Sequence, residues 1–135
     1  MASWAIIQNA SYILLIQRSR QTTRADQWCF PGGGIKKSET PEQACIREAL
    51  EETQLAIKIV DTVAKIRDDY YFLCKLENPL QSVILKPNEC QNYVWVNPTH
   101  LIDLGIIMNL KVVVPLLRSI GYDVHLSNEL ERYIA

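Results

Sequence analysis

Close cysteine pairs are missing from this chain. Cys29, Cys45, Cys74 and Cys90 are scattered along it and no CxxC occurs. Structural zinc sites and thioredoxin-type redox centres keep such pairs, so neither is expected. The thiols read as reduced and mostly buried, in a cytoplasmic protein, with two disulfides in a secreted domain as the alternative. The amino terminus has no basic n-region and no small-residue cleavage site, so no secretory signal is read there. The most apolar stretch, residues 101–117, is interrupted by Asp103, Asn109, Lys111 and Pro115. No run therefore reaches the roughly 20 apolar residues of a membrane span. Charge of one sign is also lacking: 14 Lys and Arg face 15 Asp and Glu, a net charge of −1. That balance excludes a basic sleeve for polymeric nucleic acid and a polybasic membrane patch. It leaves room for a nucleotide, since one phosphate site needs only a few local donors or a metal. Repeats, low-complexity tracts and long linkers are absent, and 48% of the 135 residues are hydrophobic. The expectation is one globular domain over residues 1–135.

Apolar runs at Trp4 to Gln8 and Tyr12 to Gln17 flank Asn9, Ala10 and Ser11, which predicts two strands and a tight turn. Arg18 to Gln27 reads as an exposed loop. Ala56 to Ile66 and Tyr70 to Leu76 read as a second strand pair turning at residues 67–69. Val83 to Leu85 and Tyr93 to Val96 are shorter strand candidates, separated by a polar turn over residues 86–92. A helix is predicted from Thr40, because Pro41 at its first position and Gln43 three residues after Thr40 form a capping box. Ala44, Cys45, Ile46, Ala49 and Leu50 supply its expected buried side. A second helix is expected within residues 109–120, with Pro115 kinking it or marking its start. A short terminal helix follows Ser127. Mixed in this order, the elements predict an α/β or α+β sandwich.

Three of the five glycines are consecutive, Gly32, Gly33 and Gly34. A turn accounts for such a run, and so does a backbone that must approach a ligand, with positive φ where needed. Five of the 15 acidic residues, Glu39, Glu42, Glu48, Glu51 and Glu52, then fall within fourteen positions. On a helix, Glu48, Glu51 and Glu52 project towards one patch of space, where like charges cost a few tenths of a kcal/mol per pair. An ordinary solvated face is one reading. A divalent cation that neutralises the cluster is the other, since carboxylate oxygens suit Mg²⁺ or Mn²⁺ and such sites share the ion with substrate phosphates.

The segment from Gly33 through Glu39 to Arg47-Glu48-Ala49-Leu50-Glu51-Glu52 and Leu55 resembles the Nudix box, over residues 33–55. Phe30-Pro31-Gly32-Gly33 and Thr40-Pro41-Glu42-Gln43-Ala44 make it similar to MutT-like members. Ala49 is small for an aliphatic position. Gln54 stands where the family carries its second glycine, so it either takes that glycine's left-handed conformation at a cost on the order of 1 kcal/mol or forces a different cap.

The resemblance implies a Nudix fold, with a mixed β-sheet between helices and a loop-helix-loop motif. It implies a Mg²⁺- or Mn²⁺-dependent hydrolase of nucleoside diphosphates linked to a group X. A nucleoside triphosphate is the first expectation, with an oxidised purine one among the candidates. The products are then the monophosphate and pyrophosphate. Dinucleoside polyphosphates, ADP-ribose and nucleotide sugars are alternatives, as is a nucleotide sensor without turnover. It implies that Glu48, Glu51, Glu52 and the Gly32 carbonyl bind metal, and that Arg47 and Glu39 orient loop and helix by pairing. Glu52 or Glu89 is the implied base, with Glu89 alternatively a metal ligand. Glu89 also reads as a solvated loop acid. Asn109 reads either as a purine-reading amide or as a helix cap. Arg18 and Arg24 read as phosphate contacts or as solvated cations. His100 and His125 read as surface or capping residues. Tyr70, Tyr71 and Phe72 are expected to split between core and surface by alternation, one of them stacking on a base.

Overall fold

The computed structural model describes residues 1–135. Strands β1 (Ala2–Asn9) and β2 (Tyr12–Arg18) form the predicted hairpin, with Ala10 left-handed at its turn. Their direct pairing is confined to the tip, Gln8↔Ile13 and Asn9↔Tyr12. Beyond it the strands separate. β3 (Trp28–Cys29) pairs with β2 and β4 (Gly32–Gly34) pairs with β1. The sheet continues from β1 to β6 (Asp69–Leu76), which is parallel to it, and then to β5 (Ile57–Ile66) as an antiparallel edge. β7 (Cys90–Val96) lies antiparallel to β2.

Strand alternation sorts the core into two layers. Ala5, Ile7, Leu14, Phe72 and Cys74 face helix α1 (Pro41–Thr53) and pack on Cys45, Ala49 and Leu55. Ile6, Ile13, Leu15 and Tyr71 face the opposite way. They pack on Val113, Val114, Leu116 and Leu117 of α2 (Leu110–Ser119). A 3₁₀ segment (Pro98–Leu104) leads towards α2, and α3 (Asn128–Ile134) follows a Ser127 cap. This is the mixed sheet between helices that was expected. No helix is long and apolar enough to cross a membrane.

Several expectations are corrected. Val83 to Leu85 is not a strand; the backbone there runs along the end of α1, with Ile84 N–H donating to the Thr53 carbonyl (2.9 Å). β7 begins at Cys90, inside the stretch read as a turn. Ile46 and Leu50 are 40% and 50% exposed, because the buried face of α1 is Ala44, Cys45, Ala49, Glu52 and Thr53. Tyr71 and Phe72 are both buried, since helices cover both sheet faces. Gly32, Gly33 and Gly34 form a strand, and none has positive φ. α2 runs through Pro115, whose missing N–H removes the helical bond to the Lys111 carbonyl. All four cysteines are buried and unpaired, with Cys45 Sγ 3.9 Å from Cys74 Sγ.

Candidate functional site

The site lies where β1 and β2 separate. α1 starts on the predicted capping box: the Thr40 hydroxyl accepts the Gln43 N–H (3.1 Å) and the Gln43 side chain accepts the Thr40 N–H (2.9 Å). It ends at Gln54, which is left-handed (φ 59°, ψ 21°), as the box position requires of its glycine. Two carbonyls at this end are satisfied from a distant loop: Lys86 N–H donates to Glu52 O (3.1 Å) and Ile84 N–H to Thr53 O. The chain segment before Glu89 is thereby strapped to the carboxylate-bearing helix.

The glycines serve close approach rather than turning. A Cβ on Gly32 would lie 2.3 Å from the Ser3 carbonyl oxygen, and one on Gly33 would lie 2.7 Å from the Glu48 carboxylate. Gly32 N–H donates to Glu52 Oε1 (2.7 Å). In an antiparallel ladder the N–H and C=O of one residue point to the same side. The Gly32 carbonyl therefore faces the Glu52 side of β4 as well.

Arg47 ties the segment together. Its guanidinium donates to both Glu39 oxygens (2.6 and 2.9 Å), to Glu48 Oε1 (2.8 Å), to Glu51 Oε2 (3.2 Å) and to the Gly34 carbonyl (2.9 Å). Such a fork fixes carboxylates in a plane that a lysine cannot reproduce. Arg47 and a backbone N–H hold the Glu39 carboxyl down to about 2, and the same pairing pushes the Arg47 guanidinium up.

Glu48, Glu52, Glu89, Arg18, Thr22, Ile16 and the three glycines line a cleft of about 280 Å³. Glu52 is only 6% exposed, and its hydrogen-bond partner is the Gly32 N–H; no cationic side chain pairs with it. Burial pushes its carboxyl up to about 8, opposed by the Gly32 bond and reinforced by Glu48 and Glu89. Burial also raises Glu48, against the pull of Arg47. Glu89 is half-exposed and pairs with Lys86 Nζ (3.2 Å). A buried carboxylate without a counter-cation, flanked by two more, suits a hard divalent ion. No three His, Cys, Asp or Glu side chains form a closed cage by themselves. That is also the manner of Mg²⁺, which keeps waters and takes the rest of its shell from substrate phosphates.

The structure does not bring every expected residue to this cleft. Glu51 is 41% exposed, bonds to Arg47 and is absent from the cleft wall, because on the helix it is turned about 100° from Glu52. Arg24 and Asn109 are elsewhere and meet each other, Arg24 Nη1 donating to Asn109 Oδ1 (3.3 Å). Asn109 occupies the cap position of α2 in a left-handed conformation and makes no capping bond, so its amide NH₂ is not spent on the helix. With Tyr71, Ile107, Leu110 and Tyr133 it lines a second, larger cavity of about 970 Å³ on the α2 face. Tyr71 packs edge-on against Phe30. His100 and His125 are exposed and lie near Asp103 and Asp123. Ile16, Thr22 and the buried Ser19 escaped the sequence reading; their signal is only proximity to Arg18.

The NUDIX domain family pattern matches residues 1–116. The chain belongs to the Nudix family of hydrolases. An RNA pyrophosphohydrolase of Francisella tularensis is 30% identical, the match covering 66% of this chain and 76% of that protein. A Caenorhabditis elegans Ap4A hydrolase structure superposes with a TM-score of 0.71 at 26% identity, over 90% of this chain and 96% of that one. The MutT protein of Methanosarcina mazei Go1 shares the fold (TM-score 0.65, 22% identity, 79% and 83% coverage).

Proposed function

We propose that residues 1–135 act as one domain and hydrolyse a phosphoanhydride bond in a nucleoside diphosphate linked to X. A nucleoside triphosphate is the preferred substrate, giving the monophosphate and pyrophosphate. The observation that carries this reading is Glu52, a buried carboxylate without a cation in a cleft shared with Glu48, Glu89 and Arg18. Glu48, Glu52 and the Gly32 carbonyl would hold Mg²⁺ or Mn²⁺, with Glu51 beside them on the same helix adding negative charge. The ion, when bound, offsets phosphate charge and lowers the pKa of water. Arg47 keeps Glu48 oriented and touches no substrate. Arg18 contacts the phosphates.

Water oxygen bonds to phosphorus while the bridging P–O bond breaks and its electron pair leaves with the departing phosphate. Glu89, half-exposed on its strapped turn, accepts the proton of that water and passes it to solvent. The nucleoside enters the α2-face cavity, where the Asn109 amide offers a donor to the base and Arg24 holds the amide's oxygen. The volume of that cavity also supports a second reading, a dinucleoside polyphosphate with one nucleoside seated there. A net charge of −1 favours either over polymeric nucleic acid. Four unpaired, buried thiols support a cytoplasmic setting.

A panel with Mg²⁺ tests the reading: nucleoside triphosphates, diadenosine tetraphosphate, ADP-ribose, a nucleotide sugar and a 5′-triphosphorylated oligoribonucleotide, with products separated by chromatography. Monophosphate and pyrophosphate from a triphosphate support it. Turnover of none of them contradicts it.

A further inference from the structure

The half-exposed acid Glu89 sits on a short turn, yet its backbone is held on every side. Both peptide planes that flank it are pinned at both ends. In the plane before it, Glu89 N–H donates to Lys86 O (3.0 Å) and the Asn88 carbonyl accepts the Ser19 hydroxyl (2.7 Å). In the plane after it, Cys90 N–H donates to Lys86 O (2.9 Å) and the Glu89 carbonyl accepts Ser19 N–H (2.9 Å). Ser19 thus supplies two of the four bonds, and its hydroxyl is the one side-chain group among them.

Ser19 itself is 5% exposed, a buried polar residue at the point where β2 leaves its ladder with β7 through a register shift after Gln17. Its carbonyl accepts the Thr22 N–H (3.2 Å) and the Thr22 hydroxyl (2.8 Å). It follows Arg18 directly, so three residues of the cleft wall, Arg18, Thr22 and Glu89, are adjacent to it or bonded to it. The far end of the Glu89 turn is held by Lys86 N–H on the Glu52 carbonyl. The turn is strung between Ser19 and the carboxylate helix.

We infer that Ser19 is a positioning residue for hydrolysis, its hydroxyl fixing the direction in which the Glu89 carboxylate enters the cleft. The inference rests on the proposed role of Glu89 as proton acceptor. Ser19→Ala keeps the backbone bonds and removes only the hydroxyl's contacts with Asn88 and the Gln21 N–H. Losing the part-buried bond to the Asn88 carbonyl, which orients a reacting group, should lower kcat about tenfold. KM should move much less, because Arg18 and the backbone tie to Thr22 persist. Ser19→Thr, which restores a hydroxyl, should recover most of kcat.

The deciding experiment is a double-substitution cycle with Glu89→Gln, measured as kcat on the best substrate of the panel with saturating Mg²⁺. Ser19→Ala is expected to cost about tenfold beside Glu89 and less than about twofold beside Gln at that position. The same loss in both backgrounds would overturn the inference and leave the role of Glu89 standing. A Glu89→Gln enzyme with full kcat would overturn both. If Ser19→Ala does not fold, Ser19→Cys, which keeps the volume but donates weakly, is taken through the same cycle with the same criteria.

Discussion

In the metal-free protein, Glu52 should make stability fall as pH rises. The carboxyl is held up to about 8 in the folded chain, against 4.5 ordinarily. Between those values the folded state keeps a proton that the unfolded state releases, so unfolding gains a driving force with each step in pH. At about 1.4 kcal/mol per pH unit, that interval sets a ceiling on the order of 5 kcal/mol. Relaxation and water entry bring the expected loss to a few kcal/mol. The sign is opposite to that of Glu39, held down to about 2 by Arg47, whose contribution is present above pH 4.5 and disappears as pH falls towards 2. The assay is thermal unfolding in EDTA from pH 5 to 9, for the wild type and Glu52→Gln. Wild-type Tm should fall across this range. The variant should lose most of the slope and be the more stable protein at pH 9, with a residue of slope left by Glu48. Excess Mg²⁺ at pH 8 should raise Tm of the wild type and leave the variant nearly unmoved, because the ion displaces the proton only where a carboxylate can form. A wild-type Tm that is flat or rising from pH 5 to 9 would refute the claim that burial dominates at Glu52.

Gln54→Gly should stabilise the protein by about 1 kcal/mol, since Gln54 is left-handed and exposed; a lower Tm in the variant contradicts this. Gly33→Ala and Gly32→Ala should part company. The former displaces the flexible Glu48 carboxylate and lowers turnover in a folded protein, whereas the latter meets the Ser3 backbone and should unfold it, as circular dichroism will distinguish. Asn109→Ala should raise KM for a purine nucleotide more than for a pyrimidine one, by a factor equivalent to about 1–3 kcal/mol. An equal effect on every nucleotide would remove Asn109 from base reading.

The start of α1 was legible because its signals are local: Thr40, Pro41 and Gln43 satisfy one another within four residues. The box position left Gln54 either left-handed or differently capped, and the structure resolves it as left-handed. Burial on α1 was misread because Ile46 and Leu50 are apolar but lie away from the sheet, while the buried side carries Glu52. Hydropathy ranks a carboxylate as exposed, and only the cleft overrides it. Val83 to Leu85 is β-prone but spends the Ile84 N–H on the end of α1, a tertiary demand that composition does not carry. The glycine run was ambiguous between turn and close approach until β1 and Glu48 were seen against it. Ser19 was invisible: its partners, Asn88 and Glu89, are about 70 positions away, and a serine after a strand ordinarily means a turn.

The central claim is that Glu48 and Glu52 make the cleft a divalent-cation site for phosphoanhydride hydrolysis. The most direct test is the Mg²⁺-dependent release of pyrophosphate from a nucleoside triphosphate by wild type and Glu52→Gln, purified identically and matched by circular dichroism. The account predicts turnover by the wild type that EDTA abolishes, and a loss of about 10²-fold or more in the variant. Undiminished Mg²⁺-dependent turnover by folded Glu52→Gln would contradict it.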